Sequence, residues 1–169
     1  MELLVSRQYT VIEVSKLPYP AGLGKLEYRR LEHRMRKLLG AEFGDPAANE
    51  RMFWTPQYQH VIATYLEPEF AGVDIVSVAR AAAEAAQASD VYGQVISHEK
   101  AYERYSANLP PRGQYNTQQA ANWTLSPPRL EYDGPNLIIG DGRHRLSLLR
   151  SIVEPQQPDF PVLVQLFHD

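Results

Sequence analysis

The segment that most constrains the fold lies between Leu137 and Phe167. Leu137-Ile138-Ile139 is a continuous apolar run, as expected of a strand buried on both faces, and it stops at Gly140-Asp141-Gly142. Apolar residues then return at helical spacing from Arg143 to about Ile152, with Leu148, Leu149 and Ile152 facing inward and Leu146 flanking them. A loop holding Pro155 and Pro158 leads into Phe160-Pro161-Val162-Leu163-Val164-Gln165-Leu166-Phe167, a second buried strand. Just upstream, Arg129 to Tyr132 and Asn136 to Gly140 flank Asp133-Gly134, a strong hairpin signal. Strand, turn, helix, loop and strand predict a C-terminal β-α-β unit with a right-handed crossover.

The rest of the chain supplies one more strand and several helices. Gln8 to Leu17 is rich in β-branched residues and reads as a strand closed by Pro18 and Pro20. Lys25 to Leu39 has a helical period, with Leu31, Met35, Leu38 and Leu39 on one stripe and Gly40 as its stop. After a loop at Gly44-Asp45-Pro46, Thr55-Pro56 opens a helix to about Leu66, ended by Pro68. Asp74 caps an alanine-rich helix through Val78 to Ala88, and a further helix is expected from Gln94 to Tyr105. Asn108 to Pro128 is a long loop rich in Pro, Gln, Asn and Thr, of a kind that is usually functional or mobile. Its Trp123 either anchors the loop on the core or stacks on a ligand ring. A chain of 169 residues suits one domain. The expectation is a single α+β domain over 1–169, a small mixed sheet with a large helical insertion at about 40–108 and the long loop at about 108–128.

Composition removes several functions. With no cysteine there is no disulfide, thiolate metal site or cysteine nucleophile. No apolar run approaches the about 20 residues needed to cross a bilayer, and the N-terminus carries no basic leader before an apolar stretch. No membrane partner is expected, and the expected location is cytoplasmic. His33, His60, His98, His144 and His168 form no H-x-x-x-H spacing, so no protein metal site is expected. There is no P-loop and no nucleophile elbow. A net charge of −3 gives no global attraction to nucleic acid, so any such binding needs a local patch. Lys25, Arg29, Arg30, Arg34, Arg36 and Lys37 make the most basic stretch, readable as a solvated helix face or as a face for nucleic acid or an acidic partner.

The chemistry concentrates at Gly140-Asp141-Gly142-Arg143-His144-Arg145. A helix start leaves backbone N–H groups without partners and carries about half a positive charge, so it attracts anions. Gly140 and Gly142 allow tight backbone geometry and close approach. Arg143, His144 and Arg145 stack cationic groups where the helix dipole repels them, a conflict that a bound phosphate would resolve. Asp141 has three readings: cap of the helix, partner of an arginine, or ligand of a metal carried by phosphates. Phosphate binding is therefore assigned to Gly140, Gly142, Arg143, His144 and Arg145. Asp141 and His144 are the catalytic candidates.

Ile139 to Leu146, a short helix, and Phe160-Pro161-Val162-Leu163-Val164 together resemble the ParB/sulfiredoxin-like family, whose members show a strand, an Asp-Gly-x-His-Arg or related motif, a helix and an Ile-Pro-Val-like strand. The resemblance covers about 55 residues and makes Tyr9 to Leu17 the family's first strand. Where sulfiredoxin-like members carry a catalytic cysteine, this chain has Arg143, which excludes that repair chemistry. ParB-like partition proteins bind a cytidine nucleotide at the motif and continue into a helix-turn-helix domain, which is not expected after Asp169. ADP-dependent kinases of free serine carry Asp-Gly-His-His-Arg, similar to Asp141 to Arg145. The resemblance to them places phosphates on His144 and Arg145, puts Asp141 near the transferred group, and calls for a glutamate base, for which Glu13 is a guess.

Three functions stay open: a nucleotide-dependent phosphotransferase or phosphohydrolase, a non-enzymatic nucleotide- or DNA-binding regulator, and a toxin-like effector or accessory protein. The expected cofactor is a nucleoside di- or triphosphate with Mg2+. On this reading His144→Ala and Arg145→Ala abolish stabilisation by nucleotide and barely change the unliganded protein.

Overall fold

In a computed structural model, residues 6–25, 27–90, 92–93, 95–97, 100, 103–104, 108, 123 and 126–168 are described. Strand β1 (Ser6–Glu13) passes into a 3-10 turn at Val14–Lys16 and then an irregular stretch. Helix α1 (Arg29–Leu39) follows, then α2 (Pro46–Met52) and α3 (Pro56–Val61), which widens into a π turn at Ile62–Leu66 and tightens into a 3-10 turn at Glu67–Phe70. Helix α4 (Ile75–Gln87) leads to a short β2 (Val95–Ile96). The C-terminal part is β3 (Arg129–Asp133), β4 (Asn136–Asp141), α5 (Arg143–Val153) and β5 (Pro161–His168). The class is mixed α+β.

The helix starts follow local chemistry. Asp45, Thr55 and Asp74 each accept a backbone N–H at the start of α2, α3 and α4, and proline occupies the first turn of α2 and α3. The loop expected at Gly44-Asp45-Pro46 is thus the cap of a helix, since proline at the first helical position sacrifices no hydrogen bond. α1 begins at Arg29 and not at Lys25, so Lys25 lies outside the helix.

The sheet order is β2-β1-β5-β3-β4. β1 pairs antiparallel with β5 along its whole length, and β3 pairs parallel with β5 and antiparallel with β4. Two expectations need correction here. The strands on either side of α5, β4 and β5, are not neighbours and run in opposite directions, so they do not form a β-α-β unit. The parallel partner of β5 is β3, and the hairpin is completed before the chain crosses over through α5. Leu137, Ile138 and Ile139 lie on an edge strand and are only half-buried. The apolar run that does belong to a strand covered on both faces is that of β5, where Val162 and Val164 join the main core and Leu163 the smaller one.

The expected helix from Gln94 to Tyr105 is also corrected at its start. Val95 and Ile96 pair with Gln8 and Arg7 of β1, because the open edge of β1 offers backbone partners. Half of that segment, with Tyr102, Tyr105 and His98-Glu99, lies outside the described residues, as do Tyr115 and most of the 108–128 loop. Trp123 is 1% exposed and joins the main core, so its ring is an anchor and is closed to ligand stacking.

The main core unites α1, α3, α5 and the sheet through Leu31, Met35, Tyr58, Leu66, Leu130, Leu149 and Val164. Ala82, Ala83 and Ala86 of α4 pack against Tyr9 and Leu163, where small side chains bring the helix close to the strands. In α5 the inward residues are Leu146, Leu148, Leu149 and Val153, whereas Ile152 is 50% exposed.

Arg150, on the buried side of α5, was not singled out by sequence. It is 3% exposed and donates to the carbonyls of Val14, Leu17 and Pro18. It also pairs with Glu154 at 2.9 Å and stacks 4.0 Å from the Tyr19 ring centre. Removing such a buried charge leaves its partners unsatisfied, at a cost of about 3–5 kcal/mol. Arg150→Met is expected to lose that much in urea unfolding, and a loss below about 1 kcal/mol would show that the carbonyls find other donors.

Candidate functional site

The turn from β4 into α5 opens on a cleft of about 560 Å³ lined by Lys25, Tyr28, Glu69, Phe70, Ser126 and residues 139–145. Gly142 is the N-cap of α5 at φ 91°, a conformation that side-chain-bearing residues rarely adopt, and no side chain caps the helix. A Cβ on Gly142 would lie 3.0 Å from Pro128 and from the Arg145 guanidinium, so glycine is required by backbone and by space. At Gly140 a Cβ would meet Glu131 and Arg129 side-chain atoms at 2.7 and 2.8 Å. The first N–H groups of α5 therefore face the cleft without a side-chain acceptor, and the positive end of the helix dipole points there.

The three basic residues of the motif take different directions. Arg143 is exposed and donates to the Gly24 carbonyl at 2.7 Å. His144 is 9% exposed, with Nε2 2.8 Å from the Leu23 carbonyl. A carbonyl only accepts, so Nε2 carries the proton and Nδ1 is the open position of the neutral ring. Arg145 is also 9% exposed; it donates to the Ser126 carbonyl at 2.7 Å and lies 3.6 Å from Asp141 Oδ2. Asp141, exposed at the cleft mouth, does not cap the helix. The cationic conflict at the helix start is thus relieved in part by backbone carbonyls of other segments, which sequence pattern does not reveal.

Two further residues complete the site: Lys25, which the sequence placed in a basic helix and not here, and Glu69, which does not stand out in the sequence. Lys25 brings its ammonium to the same cleft, 3.3 Å from Glu27 and 5.2 Å from the Tyr28 ring centre. Glu69, on the 3-10 turn after α3, places Oε2 3.7 Å from His144 Nδ1. Burial raises the Glu69 pKa above the usual carboxylate range, with Lys25 opposing; burial lowers that of His144, with the Leu23 hydrogen bond opposing. Both shifts favour the neutral forms, and the two groups face each other across 3.7 Å. Glu13 is elsewhere, paired with Lys16 at 3.0 Å and outside the cleft lining.

Because Arg145 and His144 hold the Ser126 and Leu23 carbonyls, removing either is now expected to lower the stability of the unliganded protein. Truncating His144 orphans a buried carbonyl and truncating Arg145 a part-buried one, and Arg145→Ala is expected to cost about 1 kcal/mol without any ligand, read by urea unfolding.

The titrations have a sign. Glu69 has its pKa raised in the folded state, so its contribution is fully present below the ordinary glutamate value of 4.5 and is lost as pH rises through the folded value. His144 has its pKa lowered, so its contribution is present above the ordinary value of 6.5 and is lost as pH falls toward the folded one. Glu69→Gln removes the first contribution alone. It is expected to gain stability over the parent at pH 7.5 and not at pH 4, read by urea unfolding. Equal effects at both pH values would sink this assignment.

Comparison of the chain with protein-family models, with curated proteins and with solved structures finds no match to any of them.

Proposed function

We propose that the chain is a ParB/sulfiredoxin-like protein that binds a nucleotide through its phosphates at the start of α5. The observation that carries this reading is an uncapped helix start, with a glycine N-cap, opening into a cleft walled by Lys25, Arg143, His144 and Arg145. The backbone N–H groups and the helix dipole bind an anion there. Lys25 and Arg143, the more exposed cations, add charge-assisted bonds. Arg145 holds Asp141 and the Ser126 carbonyl in place. Asp141, exposed beside the clamp, fits a magnesium ion carried in by the phosphates, which typically takes one or two carboxylates and keeps several waters.

Glu69 favours an enzyme over a passive binder. The Glu69 carboxylate, facing the His144 ring beside the bound phosphates, supplies a general base that takes the proton of an attacking hydroxyl or water, its raised pKa suiting it to that role. The reaction class is phosphoryl transfer or phosphate-ester hydrolysis. A regulator that binds the same ligand without turnover is the second reading, favoured by the exposed cations of α1.

Thermal unfolding with ATP, ADP, CTP or GTP plus magnesium tests the clamp. At least one nucleotide is expected to stabilise the parent, by about 2.7 kcal/mol at a hundredfold excess over its Kd. Lys25→Ala/Arg143→Ala is expected to weaken that binding at least tenfold, because each charged hydrogen bond contributes about 1.5–3 kcal/mol. Glu69→Gln is expected to keep the stabilisation and lose phosphate release. A double variant that binds as well as the parent would falsify the clamp, and phosphate release unchanged in Glu69→Gln would remove the base.

A further inference from the structure

The phosphate cleft does not end at Tyr28. A second cleft of about 650 Å³ adjoins it, lined by Glu27, Tyr28, Arg29, Arg30, Leu31, Thr64, Tyr65 and Glu69, so Tyr28 and Glu69 form the wall common to both. Tyr28 is the N-cap residue of α1 and is 43% exposed, with its ring centre 6.3 Å from that of His144. An exposed aromatic face between a phosphate clamp and an open cleft is placed to receive a flat ring.

Beyond this wall runs a line of cations. Arg30, Arg34 and Lys37 follow one another at i, i+4 and i+7, which puts them on one face of α1, and all three are exposed. None of them forms an ion pair with a described carboxylate, unlike Arg36, which pairs with Glu32 at 2.9 Å. Arg29 and Arg30 also occupy the first turn of α1, where the helix dipole disfavours cations and no side chain caps the helix. In a chain of net charge −3, this concentration of cations calls for a polyanion. The stripe extends about 10 Å at 1.5 Å per residue, long enough for more than one phosphate.

We infer that the site takes a single-stranded nucleic acid, with one phosphate at the start of α5, a base on Tyr28 in the second cleft, and the next phosphates along Arg30, Arg34 and Lys37. This rests on the phosphate-binding reading above and extends it from a nucleotide to a strand. A duplex does not fit the same path, because its bases are already stacked on one another and cannot lie on Tyr28. An acidic peptide would satisfy the cations and leave the aromatic wall unused.

Fluorescence anisotropy with the full chain and a labelled, terminally phosphorylated DNA strand of about ten nucleotides tests this. The strand is expected to bind at least tenfold more tightly than a mononucleotide and than its own duplex. Arg34→Ala/Lys37→Ala should lose about tenfold on the strand and nothing on a mononucleotide. Its plot of log affinity against log salt should be shallower by about 1.4, the share of two single-strand phosphate contacts. Tyr28→Ala should lose about tenfold on the strand and Tyr28→Phe should retain it. A strand that binds no better than a mononucleotide, while nucleotides still stabilise the protein, overturns the extension and leaves the clamp standing. Strand binding indifferent to Lys25→Ala/Arg143→Ala overturns the clamp and with it the placement proposed here. Polyglutamate that displaces the strand at equal charge concentration overturns it in favour of an acidic protein partner.

Discussion

Helix α5 holds the chain between β1 and α1 by its backbone carbonyls, and the rest of the structure depends on that contact. Val14 to Gly24 contains only one 3-10 turn, so most of its carbonyls have no regular partner. Arg150 takes those of Val14, Leu17 and Pro18, His144 that of Leu23, and Arg143 that of Gly24. Asn49 adds Ala21 from the α2 side at 3.0 Å, and its own Oδ1 accepts the Tyr58 hydroxyl at 2.7 Å. Arg143 and Arg150 are seven residues apart, two helical turns, so one side of α5 presents both donors to the same strip of backbone. The long-range contact therefore fixes where Leu23, Gly24 and Lys25 lie, and through them one wall of the cleft.

The same turn of helix thus serves the scaffold and the site. His144 spends Nε2 on Leu23 and keeps Nδ1 for Glu69. Arg145 spends part of its guanidinium on Ser126 and the remainder on Asp141. Burial works against the charged forms of both Glu69 and His144.

Local signals in the sequence act over a few residues, and there they were legible. Thr55 and Asp74 read correctly as helix caps, Asp133-Gly134 as a hairpin turn, and the period of Leu31, Met35 and Leu39 as the inward side of a helix, whose start is Arg29 and not Lys25. The turn at Gly140 to Gly142 read as a strand passing into a helix. Apolar runs did not reveal strand position. Leu137 to Ile139 and Phe160 to Val164 look alike in sequence, yet β4 is an edge and β5 is central. Two residues at Val95 and Ile96 are too short to leave any pattern, and they become a strand only because β1 has an open edge.

By itself, then, the sequence determined the α+β composition, the helix starts capped by Thr55 and Asp74, and the glycine-bounded turn, because each depends on neighbours within a few positions. The tertiary structure decided which basic residues of Arg143 to Arg145 face the cleft, that Glu69 stands opposite His144, that Lys25 and Tyr28 complete the walls, and that Arg150 is structural. These depend on contacts between residues dozens of positions apart, where the side chain's partner is a backbone carbonyl or a carboxylate that carries no mark in the sequence.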